Sequence, residues 1–270
     1  MILVSCRKDF TSDHLFSDEI EIRDFPNLAN LNQFTELTQG ELVERVRGKH
    51  VLVLVHGYRT PMKNVAAAYK VLEEGLQKEG LIGEPNYTEV IGFAWPSWRL
   101  RISFFAAVPA ANGSSEYFYD LGKLIASSAK TLDVQTHSLG ARVALQALSA
   151  QTDLWVDNLI LTAPAVDNEA VEPAQEFNEA LDECGRCFVL HSKEDSVLKI
   201  YTFAQLDRAL GKNGPEHPKI VLEKCPNVYV LDCHAAVKSD HSGYRKTPIY
   251  YEWWKRVLNN EPMARFSALE

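Results

Sequence analysis

Short apolar runs alternate with longer amphipathic stretches along the chain. His50–His56 (HVLVLVH), Val90–Ala94 (VIGFA), Leu132–Thr136 (LDVQT), Leu159–Thr162 (LILT), Cys187–Leu190 (CFVL) and Val228–Leu231 (VYVL) are short and rich in β-branched residues. Most are apolar at successive positions rather than at alternate ones. A strand covered on both faces reads this way, so the pattern predicts a buried parallel sheet. Ile2–Ser5 and Glu19–Arg23 are weaker candidates for two earlier strands. Between the runs, apolar residues recur at helical spacing. Thr60-Pro61 reads as an N-cap followed by proline at the first helical position, ahead of Val65, Ala68, Tyr69, Leu72 and Leu76. Ser114 or Ser115 is a candidate cap for a helix whose buried stripe is Tyr117, Leu121, Leu124 and Ile125. Leu139–Ala150 is a third, alanine-rich helix, and Thr247-Pro248 repeats the cap signal before Ile249–Leu258.

Strands alternating with helices predict the α/β class: a mostly parallel twisted central sheet with helices on both faces. One domain over residues 1–270 is expected, since no linker divides the chain. Two stretches break the alternation. Residues 95–113 carry Trp95, Trp98, Phe104, Phe105 and two prolines, and read as an irregular apolar excursion. Residues 167–186 form a second, more polar one. Both are candidates for a short cap or for pocket lining.

Composition narrows the partners. The formal net charge of −8 argues against nucleic acid and anionic membranes, which select basic surfaces. No apolar run approaches the roughly 20 residues of a membrane helix. The N-terminal sequence MILVSCRKDF becomes charged too early for a secretory signal. Five cysteines, an odd number in so long a chain, fit a reducing compartment better than a disulfide framework, and a cytoplasmic location is expected. Cys184-Gly-Arg-Cys187 has redox or zinc spacing, but Cys225 and Cys233 are too far apart to complete a zinc ribbon. Reduced thiols near strand ends are the simpler reading.

The segment Leu132-Asp-Val-Gln-Thr-His-Ser-Leu-Gly140 places Ser138 where a strand turns into a helix. A serine hydroxyl is a poor nucleophile at neutral pH. It needs a base, a group that orients the base, and donors for the developing oxyanion. A sharp strand-to-helix turn presents the hydroxyl for this purpose, and it crowds the backbone two positions to either side. Gly140 meets that demand. Thr136 occupies the other small position, where glycine is usual. The alternative for Ser138 is a helix cap.

Six segments together, His56-Gly57-Tyr58, Phe93-Ala-Trp-Pro-Ser97, Thr136-His-Ser-Leu-Gly140, Ala163-Pro-Ala-Val-Asp167, His191-Ser-Lys-Glu-Asp-Ser-Val-Leu198 and His241-Ser-Gly-Tyr244, make the chain resemble the α/β-hydrolase fold superfamily. It is similar to the uncharacterised esterase- or lipase-like members. The resemblance implies a triad in the order serine, acid, histidine. Asp195, just after the Cys187–Leu190 strand, is the expected acid; Asp167 and Glu194 are its rivals. His241, in the polar loop before the last helix, is the expected base, with His234 as a buried structural alternative. The backbone N–H groups of Leu139 and Tyr58 would form the oxyanion hole, with Arg59 next in line for the second donor. His56 and Gly57 are expected to be structural.

The expected reaction is cleavage of a carboxylic ester or related acyl bond through an acyl-enzyme. The partner is a small-molecule acyl substrate, and neither a metal nor an organic cofactor is required. Residues 95–113 suggest an apolar acyl or alcohol group, or else a plug at the sheet edge. Arg99 and Arg101 are candidates to meet a substrate carboxylate, though solvated arginines are commoner. Thr136 keeps open a second reading, an idle scaffold that binds a ligand or protein.

Overall fold

The computed structural model describes residues 1–97, 104–199, 201 and 207–269, with residues 104–106 described by their backbone alone. Its centre is one ten-stranded sheet. The strands are β1 (Ile2–Arg7), β2 (Phe16–Asp24), β3 (Thr35–Leu37), β4 (His50–Val55), β5 (Glu89–Ala94), β6 (Thr131–His137), β7 (Val156–Thr162), β8 (Cys184–His191), β9 (Val228–Asp232) and β10 (Phe266–Ala268). They lie in the order β10-β9-β8-β7-β6-β4-β5-β1-β2-β3. Among the described strand pairs, only β1–β2 and β2–β3 are antiparallel. The apolar runs owe their two-sided character to this arrangement: all of Val51–Val55 and all of Leu159–Leu161 are buried.

The longer helices are α1 (Gln39–Val46), α2 (Met62–Lys78), α3 (Phe104–Ala126), α4 (Gly140–Ala150) and α8 (Pro248–Leu258). Shorter helices among the described residues include α5 (Leu210–Asn213), α6 (Pro218–Lys224) and α7 (His234–Val237). The helices cover both faces of the sheet. In one layer α3 packs against α1 and α4, and elsewhere α2 packs against α8. Helix α2 buries Met62, Val65, Ala66, Tyr69, Leu72 and Leu76, the stripe that its periodicity predicts apart from Ala68, which is half-buried.

Several expectations need correction. Residues 104–113 are not irregular; they are the first turns of α3, with Pro109 inside the helix. The run Phe104-Phe-Ala-Ala-Val-Pro has no polar face, so it carries no amphipathic period, and its proline reads as a breaker. Ser114 and Ser115 are therefore not caps. Each hydroxyl donates within the helix, to the carbonyls of Ala110 (2.7 Å) and Asn112 (2.6 Å). Helix α2 is capped by Pro61 instead of Thr60. Thr60 turns its hydroxyl toward the carbonyl of Gly57 at 2.9 Å. The last three residues of 167–186 belong to β8. Trp98, Arg99 and Arg101 lie outside the described residues, as do the side chains of Phe104 and Phe105.

The topology positions the site. The chain passes from β4 through α2 to β5 on one side, then returns through α3 to β6 on the other side of β4. Loops leaving β4 and β6 at their carboxyl ends thus diverge, and a crevice opens between them.

Candidate active site

Ser138 sits one residue beyond β6, where the backbone takes a φ of 55°. A left-handed conformation at a non-glycine residue is uncommon and needs tertiary support. Ser138 has it. Its N–H donates to Thr162 (3.0 Å), and its carbonyl accepts from Ala141 (3.1 Å) and Ala165 (3.1 Å). Gly140 follows because a Cβ there would lie 2.4 Å from the His56 carbonyl. Gly57 is constrained in the same way: a Cβ would fall 2.8 Å from that of Ser138. Thr136 fits without glycine because it is still in the strand. Its side chain is buried and its hydroxyl is directed at the Ile160 carbonyl (3.4 Å).

Ser138 and His241 line one cavity of about 660 Å³. His241 Nδ1 meets Asp195 Oδ2 at 2.7 Å. The other oxygen of Asp195 accepts the N–H groups of Val197 and Leu198, both at 2.9 Å. The Asp195 side chain is almost fully buried and that of His241 largely so. With both oxygens occupied, the carboxylate is fixed and the imidazole is held by Nδ1, which leaves Nε2 for proton transfer. The rivals are engaged elsewhere. Asp167 accepts from the Tyr201 hydroxyl at 2.6 Å, and Glu194 lies 3.9 Å from His234 Nε2.

His137 was not singled out by its sequence position. Its Nε2 lies 2.8 Å from the His241 carbonyl, and the two rings are 4.7 Å apart. Since a carbonyl can only accept, His137 carries its proton on Nε2. Burial, together with His241 and Arg245, pushes its imidazole well below the usual histidine range, so it stays neutral. The residue beside Ser138 thus ties down the loop that holds His241.

Leu139 is the N-cap of α4, and its N–H meets no acceptor among the described residues. An amide at a helix start is suited to a developing negative charge. Tyr58 lies on the loop after β4 and lines the same cavity. The Arg59 N–H donates to Ser97 at 3.0 Å, which removes it as the alternative donor. His56 braces this loop. Its Nδ1 lies 2.8 Å from the Gly57 carbonyl, and its Nε2 faces the Trp95 N–H (3.1 Å) and Arg7 Nη2 (3.1 Å). Two donors at Nε2 make it the acceptor, so His56 is neutral, and burial holds it well below the usual histidine range.

The described wall of the cavity is built from the β4 loop, α2, β6 and its following turn, Ala165, Val197, Leu198, Tyr201 and the His241–Arg245 segment. None of its described residues comes from 95–113 or 167–186. The latter stretch lies on α4 instead, where Arg142 pairs with Glu176 and stacks 5.1 Å above the Phe177 ring. All five cysteines are buried free thiols. Cys187, hydrogen-bonded to Cys184 and buried, has its thiol pushed well up, away from reactive thiolate chemistry. No cluster of metal-ligating side chains occurs among the described residues.

Residues 34–240 match the model of the family described as "Alpha/beta hydrolase of unknown function (DUF900)". The chain belongs to this family. The DUF900 chain therefore has the α/β-hydrolase fold. Its structure is similar to those of several hydrolases. One, from Xanthomonas campestris pv. campestris and assigned to the alpha/beta superfamily, is 15% identical, with 59% of this chain and 83% of that one covered and a TM-score of 0.34. A Pyrococcus furiosus esterase is 15% identical over 79% of this chain and 82% of its own, with a TM-score of 0.41. A carboxyl esterase from the mycorrhizal fungus Tuber melanosporum is 13% identical over 92% and 70%, with a TM-score of 0.38. No match was found among curated proteins. Among the described residues, no helix of the DUF900 chain is long and apolar enough to cross a membrane.

Proposed function

We propose that this DUF900 protein is a serine hydrolase that cleaves a carboxylic ester or a closely related acyl bond. Ser138 Oγ attacks the acyl carbon while His241 Nε2 takes its proton. Asp195 orients the ring through Nδ1 and stabilises the imidazolium. The backbone N–H groups of Leu139 and Tyr58 hold the tetrahedral oxyanion. His241 then returns the proton to the leaving alcohol, and the acyl group remains on Ser138. Water, deprotonated by His241, attacks this acyl-enzyme and releases the acid. No metal or organic cofactor enters these steps.

The observation that carries the reading is the left-handed Ser138 lining the same cavity as a histidine whose far nitrogen is held by a buried carboxylate. A helix cap would need neither the strained φ nor the histidine. The test is covalent labelling by a fluorophosphonate probe, with turnover of 4-nitrophenyl esters measured alongside. Ser138 should be the labelled residue, and Ser138→Ala or His241→Ala should cut kcat by roughly 10⁴-fold or more. Equal turnover in all three proteins, with Ser138 unlabelled, would leave the fold as a binding scaffold.

A further inference from the structure

We propose that the substrate carries an anionic group, a carboxylate, which the Arg245 guanidinium binds inside the cavity. This rests on the reading of Ser138 as the nucleophile and adds the class of acyl compound that reaches it.

The charge distribution is the starting point. The chain carries a net charge of −8, with 36 acidic residues. Yet the described cavity lining has no aspartate or glutamate, and it has two arginines, Arg59 and Arg245. An acidic protein has thus cleared carboxylates from the wall of this one cavity. Low-dielectric walls of one sign concentrate ligands of the other.

Arg245 is the better placed of the two arginines to act on a ligand. It lies on the 3-10 turn Tyr244–Lys246, which packs against α2 and follows His241 by four residues. Among the described residues its guanidinium makes no hydrogen bond and no ion pair. The acid that acts on it most strongly, Asp240, is already occupied: Oδ2 takes Lys246 Nζ at 2.8 Å and Oδ1 takes the Ser242 N–H at 3.0 Å. Asp195, the carboxylate nearest the candidate base, is saturated by His241 and two amides. Burial lowers the pKa of Arg245 from its ordinary value, the expected strain on a cation short of partners. A guanidinium offers a planar fork of donors that fits a carboxylate through two parallel bonds. The wall also carries the apolar side chains of Ala68, Leu72, Ala165, Val197 and Leu198, which would take the carbon chain between the anion and the scissile bond.

The experiment measures kcat/KM on matched pairs. Monomethyl esters of succinate, glutarate and adipate are compared with methyl butyrate, pentanoate and hexanoate by proton release. On the alcohol side, 4-carboxyphenyl acetate is compared with phenyl acetate. At least one anionic member should be preferred by about 10- to 100-fold, the range of a charged hydrogen bond. Arg245→Gln should bring that ratio to near one, and Arg245→Lys should keep part of it. A preference for the neutral member of every pair, or a ratio unchanged in Arg245→Gln, overturns the proposal. Should Ser138 resist the probe and no ester turn over, the nucleophile reading fails separately. Binding then decides the anion site: adipate raising the melting temperature of the wild type but not of Arg245→Gln supports it, and no shift in either refutes it.

Discussion

At the scale of single residues, the site depends on groups that do no chemistry themselves. His137 is the clearest case. It is neutral, donates to the His241 carbonyl and lies beside Ser138, so one side chain registers the proposed base against the proposed nucleophile. His137→Ala should lower kcat by about 10- to 100-fold through misplacement of the base, with KM little changed. His137→Gln, which keeps a donor, should recover part of the loss. Steady-state kinetics on one ester check both. The residues of the candidate site were legible to different degrees. Ser138, Asp195 and His241 stand out because each follows a readable apolar strand, and the structure brings Asp195 and His241 within 2.7 Å. His137 was illegible because its role depends on a carbonyl 104 residues away. Arg245 was hidden likewise, since a lone arginine in a polar loop has no pattern to mark it.

At the scale of elements, β1 contributes more than an edge to the sheet. It runs parallel to β5, which carries Arg7 to the same end as the β4 loop. There Arg7 is fully buried and donates to the Thr60 carbonyl at 2.8 Å, while also reaching His56 and, at 3.3 Å, Asp13. Burial lowers its pKa to about 10, a cost the fold bears to brace the loop on which Tyr58 lies. Arg7→Met should cost about 3 kcal/mol in a urea melt, as removal of one partner from a buried polar cluster does. It should also reduce kcat at least about tenfold if the loop shifts, whereas an unchanged kcat in folded protein would make Arg7 a purely structural residue. The main parallel strands were legible within one to three residues because burial on both faces leaves an unbroken apolar run. The start of α3 was not, because an apolar helix with an internal proline has no period to read. The edge strands β3 and β10, three residues each, are too short to carry one.

At the scale of the molecule, the amino end of the sheet holds a second buried polar group. Asp133 accepts from Tyr87 at 2.5 Å and from Asn158 at 2.9 Å, and Trp254 donates to the Tyr87 hydroxyl at 3.0 Å. Burial raises the Asp133 pKa from 3.8 to about 6. An acid raised on folding binds its proton more tightly in the native state. Its contribution to stability is therefore full below its unfolded value and is lost as pH rises through about 6. The loss is about 3 kcal/mol for a shift of this size. The difference in unfolding free energy between wild type and Asp133→Asn should fall by that order between pH 4 and pH 8, as denaturant melts would record. A difference that stays flat would mean that Asp133 ionises in the fold without cost.

The distances along the chain between the candidate groups have a consequence for how the protein is made. Ser138 precedes its proposed acid by 57 positions and its proposed base by 103. Synthesis runs from the N-terminus, and the candidate nucleophile emerges long before its partners exist. Until β8 and β9 have docked and the loop after β9 is tied to His137, the proposed base and acid are not assembled beside Ser138, and its hydroxyl is as inert as any other serine. On the proposed reading a nascent or fragmented chain is harmless to acyl compounds around it, and reactivity arrives only with the finished sheet.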